Sequence, residues 1–114
     1  MADAGKDIIE KVYDAIEQAK ATGKIRKGTN EATKAIEKGE AKLVAVAKDV
    51  EPKEIVMHIP LLSKEKGIIC VEVPSKEELG AAAGLNVGTS AVAIVKEGEA
   101  KNIIKQISAA LPKE

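Results

Sequence analysis

The sequence predicts an α/β/α sandwich around a small sheet, and three observations lead there. Segments with helical apolar spacing alternate with short, nearly continuous apolar runs to the end of the chain. That pattern belongs to helices laid on both faces of a sheet whose strands are buried on both sides, and it further predicts a largely parallel sheet. The 114 residues, 45% of them hydrophobic, suit one compact domain with a real core. Phe and Trp are absent and Tyr13 is the only aromatic residue, so that core is aliphatic.

The elements follow in order. "DIIEKVYDAIEQAKATG" sets Ile8, Ile9, Val12, Ile16 and Ala19 at helical spacing, with Gly23 as the stop. "KIRKG" is short and basic, and the pattern alone does not assign it. "TNEATKAIEKG" is a second helix, expected to be capped by Thr29 and closed by Gly39. "AKLVAVAKD" is a buried strand. "EPKEIVMH" reads as helix, interrupted by Pro60, and "PLLSKEKG" as a new turn with proline at its first position. "IICVEV" is a second buried strand. "PSKEELGAAAG" is a helix with a capping box, Ser75 followed three residues later by Glu78. "LNVGT" is a loop, "SAVAIV" a third buried strand and "EGEAKNIIKQISAAL" the last helix, with Pro112 beyond it. No repeat or linker divides the chain, so residues 1–114 are expected to form a single domain.

Composition excludes several functions. Lysine plus arginine balance aspartate plus glutamate at 18 each, which argues against nonspecific wrapping of nucleic acid but leaves room for a local basic patch. One aromatic residue leaves nothing on which to stack a run of bases. The single cysteine, Cys70, rules out an internal disulfide and a cysteine-based zinc site, and its apolar run "GIICVEV" predicts a buried, inert thiol. No apolar run approaches membrane-spanning length and "MADAGKD" carries no signal-like core. A cytoplasmic protein with no membrane partner, metal or cofactor is the expectation.

The chemistry-bearing constellation lies in "KIRKGTNEATKAIEKG". With Asn30 as origin, at about 100° per residue, Lys34 falls near 40°, Lys38 near 80° and Glu31 near 100°. Ala32 and Ile36 fall near 200° and 240°, on the opposite side. The second helix thus turns an apolar face to the sheet and shows Asn, Glu and two Lys outward from its N-terminus. Helix N-termini offer unpaired N–H groups and a positive dipole end to phosphate, and Lys24, Arg26 and Lys27 lie just upstream. From Lys20 to Lys42 there are seven basic and three acidic residues, a local +4 in a chain of zero net charge. Such segregation is the footprint of a nucleic-acid binder. Glu31 is the oddity, because a carboxylate repels phosphate. It fits if it accepts from base-edge amino or imino groups, beside an Asn30 that both donates and accepts and a Lys34 that donates to guanine O6 and N7. The same residues also read as a well-capped helix with a solvated basic face.

At these residues the sequence resembles the archaeal ribosomal protein L-seven-Ae family of kink-turn RNA binders. "KGTNEATKAIEKGEAKLVAVAKDVEPKEIVMHIPLL" and, further on, "VPSKEELGAAAGLNVGTSAVAIV" carry the likeness, from about Gly23 to Val95. The resemblance implies a three-layer α/β/α sandwich with a four-stranded mixed sheet, "KIRKG" being its first short strand. It implies as target a helix–bulge–helix RNA with tandem sheared G·A pairs and a sharp bend. Asn30, Glu31 and Lys34 match the family's contacts to those pairs, Lys24, Lys27 and Lys38 its basic positions near phosphates, and Gly28 and Thr29 the tight entry into the helix. "GLNVG" matches the loop over the bulged nucleotides, where Leu85 and Val87 would pack on unstacked bases. Asn86 stands where archaeal members commonly carry an acidic residue, and the N-terminal segment enters helix almost at once where the family often has a strand-like stretch with an aromatic residue. The implied hosts are ribosomal RNA of the large subunit, box C/D and H/ACA guide RNAs and ribonuclease P RNA, in company with other ribonucleoprotein core proteins. DNA is not implied as a partner, and a monomer is expected.

Two other readings stay open on sequence alone. "GAAAGLNVG" is glycine-rich, but no dinucleotide-binding or Walker pattern is present and the order is helix to strand. That weakens a nucleotide-binding subdomain of an enzyme. His58, the only histidine, stands beside Met57 and Ile59 with no cysteine or catalytic partner at a telling distance, so no catalytic activity is expected. A module that binds only proteins is the third reading.

Overall fold

The structure, a computed structural model, describes residues 6–51, 54 and 56–110. Helix α1 (Lys6–Thr22) leads into strand β1 (Lys24–Lys27), followed by α2 (Thr29–Glu37), β2 (Leu43–Ala47), α3 (His58–Glu65), β3 (Ile69–Val73), α4 (Lys76–Ala82), β4 (Ala91–Lys96) and α5 (Lys101–Ala110). The expected stripe on α1 faces inward, with Val12, Ile16 and Ala19 fully buried and Ile8 and Ile9 partly so. α1 packs with α4 and α5 on one side of the sheet, and α2 and α3 pack together on the other. These are the three layers. Ile16, Ile36, Leu43, Ile59, Leu79, Ile94 and Ile107 are the largest fully buried side chains of a core with no aromatic residue in it. Tyr13 sits at its margin, its hydroxyl donating to Glu78 Oε1 across α1 and α4 at 3.1 Å.

The sheet has the order β1-β4-β2-β3 and is mixed. Only β2 and β3 run parallel, while β4 is antiparallel to both β1 and β2. This corrects the largely parallel sheet read from the apolar runs. The reason lies between β3 and β4. α4 has seven residues, about 10 Å of helix, less than the span of a strand. The loop after it folds back, Thr89 N–H donating to the Lys76 carbonyl at 3.0 Å. The chain therefore re-enters the sheet near the end it left, and β4 must run the other way. Burial on both faces is the same for a central strand of either direction, so the runs could not tell. β3 also differs from expectation, because it is an edge strand: Val71 and Val73 are buried but Ile69, Cys70 and Glu72 only half so.

Other local corrections have equally simple causes. α3 begins at His58, so Pro60 lies inside its first turn and does not open a new one; a proline there gives up no intrahelical hydrogen bond. Part of "EPKEIVMH" lies outside the described residues, as does Pro112. Ser75 caps α4 as expected, its Oγ accepting from Glu78 N–H at 3.2 Å, but the Glu78 carboxylate takes the Tyr13 hydroxyl. A 3-10 turn at Gly98–Ala100 precedes α5, fixed where Glu99 N–H donates to Thr22 Oγ1 at 2.8 Å.

Candidate nucleic-acid interface

The site is built where β1 hands the chain to α2. Gly28 N–H donates to the Ala91 carbonyl at 2.8 Å, which pins the junction against β4. Gly28 itself has φ 96° and ψ 158°, a backbone region essentially closed to other residues. A Cβ added there would meet nothing within 4 Å, so conformation and not space demands glycine.

Thr29 is not the cap that its position suggested. α2 starts at Thr29, Gly28 occupies the cap position, and no side chain among the described residues caps the helix. The Thr29 hydroxyl instead shares a 2.5 Å hydrogen bond with Ser90 Oγ, just before β4. One residue of register decides this: at the first helical position the side chain points sideways, not back over the amides. The first intrahelical bond runs from Ala32 N–H to the Gly28 carbonyl, so the amides of Thr29, Asn30 and Glu31 come before it and point outward. The other end closes as predicted, Gly39 N–H donating to the Ile36 carbonyl and Glu40 N–H to that of Ala35, each at 2.9 Å.

The face of α2 is as the helical period placed it. Ala32, Ala35 and Ile36 are buried, and Asn30, Glu31, Lys34 and Lys38 are exposed. An open depression of about 640 Å³ lies at the N-terminus, lined by Lys27, Gly28, Thr29, Asn30, Glu31 and His58. A smaller one of about 190 Å³ adjoins it along the helix, lined by Arg26, Glu31, Lys34, Ala35, Lys38 and Glu40. Glu31 borders both. Its carboxylate lies 3.6 Å from Lys34 Nζ, with the two side chains 48% and 65% exposed. A loose, solvated pair of this kind contributes little to stability, so both groups remain available to a partner.

Of the residues that sequence reasoning singled out, Lys27, Gly28, Thr29, Asn30, Glu31, Lys34 and Lys38 gather around these two depressions. Lys24 lines neither; it stands exposed at the far end of β1, opposite Lys96 of β4. Leu85, Asn86 and Val87 line neither. Leu85 packs partly on the core, Asn86 is exposed and Val87 is 70% exposed. Their loop reaches α2 three residues later, through Ser90. His58 and Ser90 are site residues that sequence reasoning did not pick out, and Arg26, counted there only among the basic residues upstream of the helix, lines the smaller depression. For Arg26 a signal existed, its place in the basic run just before α2. For His58 and Ser90 none did, because their partners, Thr33 and Thr29, are far away in sequence. Among the described residues no three His, Cys, Asp or Glu side chains gather to hold a metal ion, and no helix is long and apolar enough to cross a membrane.

Comparison with known proteins adds to this geometry. Residues 10–104 match the model of the ribosomal protein L7Ae/L30e/S12e/Gadd45 family. Among solved structures, a Giardia lamblia 15.5kD RNA binding protein superposes with a TM-score of 0.89 at 31% sequence identity, over 96% of this chain and 91% of that one.

Proposed function

Because the chain belongs to the ribosomal protein L7Ae/L30e/S12e/Gadd45 family, we propose that it is an RNA-binding protein that recognises kink-turns and holds them bent. The observation that carries this is the uncapped N-terminus of α2, open on a depression lined by Lys27, Asn30 and Glu31. Free amides and a positive dipole end attract phosphate. Asn30, Glu31 and Lys34, displayed on the same turn, supply acceptors and donors that match the base edges of sheared G·A pairs. Lys27, Lys38 and the more distant Lys24 grip phosphates, and Leu85, Asn86 and Val87 cover the bulged nucleotides.

The mechanism is differential binding. A free kink-turn samples extended and bent forms, and a surface that fits only the bent form shifts the population toward it. No covalent chemistry is asked of the protein, and its role is architectural. Its RNAs are those of the large ribosomal subunit, of box C/D and H/ACA guide particles and of ribonuclease P, where it works as a monomer in the cytoplasm beside other core proteins. Fluorescence energy transfer between the two stems of a labelled kink-turn tests the idea. Transfer should rise on titration with protein, and a titration that leaves it flat contradicts the proposal.

A further inference from the structure

His58 is the one member of the larger depression that comes from α3, and its hydrogen bonding can be read to the proton. His58 Nε2 lies 2.8 Å from Thr33 Oγ1. The same hydroxyl lies 2.7 Å from the Thr29 carbonyl, to which it donates. A hydroxyl has one proton and a carbonyl only accepts. The Thr33 proton is therefore committed to Thr29, and the bond between Thr33 and His58 needs its proton from Nε2. The ring is thus protonated on Nε2, and Nδ1 has no hydrogen-bond partner among the described residues.

The relay joins three elements. It runs from His58 on α3 to Thr33 and the Thr29 carbonyl on α2, and the Thr29 hydroxyl continues it to Ser90 before β4. The turn it spans, Thr29 to Thr33, carries Asn30 and Glu31. No side chain among the described residues caps that turn, and an uncapped terminal turn is the part of a helix most prone to fray. A side-chain cap would steady it but would occupy the amides that a phosphate needs. His58 steadies it from the side and leaves them open.

We propose that His58 is a specificity-determining positioning residue, which donates Nε2–H to Thr33 and so holds Asn30 and Glu31 in the geometry that reads RNA. The inference rests on the kink-turn reading above. Its test compares the parent with His58→Ala, His58→Gln, Thr33→Val and the double variant His58→Ala/Thr33→Val. Each is titrated against an intact kink-turn and against one whose G·A pairs are replaced by Watson–Crick pairs, with thermal melting to confirm the fold. The parent should prefer the intact RNA. In His58→Ala and in Thr33→Val that preference should shrink by roughly three- to tenfold, the range of one hydrogen bond. The double variant should lose no more than the worse single one, as members of one relay do. His58→Gln, whose amide N–H reaches near the Nε2 position, should recover most of the loss. A merely structural role lowers the melting temperature and leaves the preference alone. An unchanged preference in His58→Ala, fully additive losses, a glutamine variant no better than alanine, or a neutral Nδ1–H tautomer by nitrogen NMR each overturn the inference. A parent that shows no preference overturns the kink-turn reading itself, and His58's part falls with it.

Discussion

Gly28 and Cys70 show how much a single residue decides. At Gly28 the positive φ sets the exit angle of β1 and leaves Thr29 as the first residue of α2. Gly28→Ala should cost about 1–3 kcal/mol of stability, the strain of a side chain in that region. RNA affinity should fall further, because the amides behind it lose their aim; melting and titration of the same variant measure the two effects. Cys70 was read from its apolar neighbours as an inert thiol, and burial pushes its pKa up to about 12, the nearby Ser63 hydroxyl pulling the other way and Glu72 adding to the rise. At about pH 8 the native thiol should alkylate on the order of a thousandfold more slowly than the thiol of the denatured chain, since the thiolate reacts. The sign for stability follows: a raised native pKa favours the folded state below about pH 9 and loses that advantage as pH climbs toward about 12. Both residues were legible in part. Glycine before a helix and cysteine in an apolar run are local signals. That Thr29 serves Ser90 and not its own helix is not, because capping turns on one residue of register.

At the scale of the element, α2 was the most legible part of the chain. Its period separated Ala32 and Ile36 from Asn30, Glu31, Lys34 and Lys38 without error, because nine residues make two and a half turns. β1 was the least legible by pattern. It has four residues, none of them fully buried, too few for a period of two to stand out, and only the family resemblance assigned it. The direction of β4 was equally hidden, since the loop that reverses it is held by a backbone bond, Thr89 to Lys76, that no side chain announces. The basic side chains along β1 and α2 make a prediction at this scale. Lys27→Ala or Lys38→Ala should weaken binding to every RNA alike, and the slope of log K against log salt should become shallower by roughly one unit or less. A loss confined to the intact kink-turn would show that these lysines read bases and do not grip phosphate.

At the scale of the whole molecule, a chain of zero net charge concentrates basic residues between Lys20 and Lys42, and four of them, Arg26, Lys27, Lys34 and Lys38, line the two depressions along α2. The three-layer sandwich matters to this because α3 and the Ser90 loop, from distant parts of the sequence, meet at α2 and steady it. On the proposed function, the N-terminal end of α2 reads base pairs as well as holding phosphates, and Glu31 separates the two. The most direct measurement is the ratio of affinities for an intact kink-turn and for one with its G·A pairs replaced, taken for the parent and for Glu31→Gln under the same salt. Removing the carboxylate takes away a charge that repels phosphate, so binding to the replaced RNA should hold or rise slightly. Binding to the intact kink-turn should weaken by about 1–3 kcal/mol, the worth of a base contact, and the ratio should shrink accordingly. A ratio that is the same in the two proteins would contradict the account and leave α2 an ordinary helix with basic neighbours.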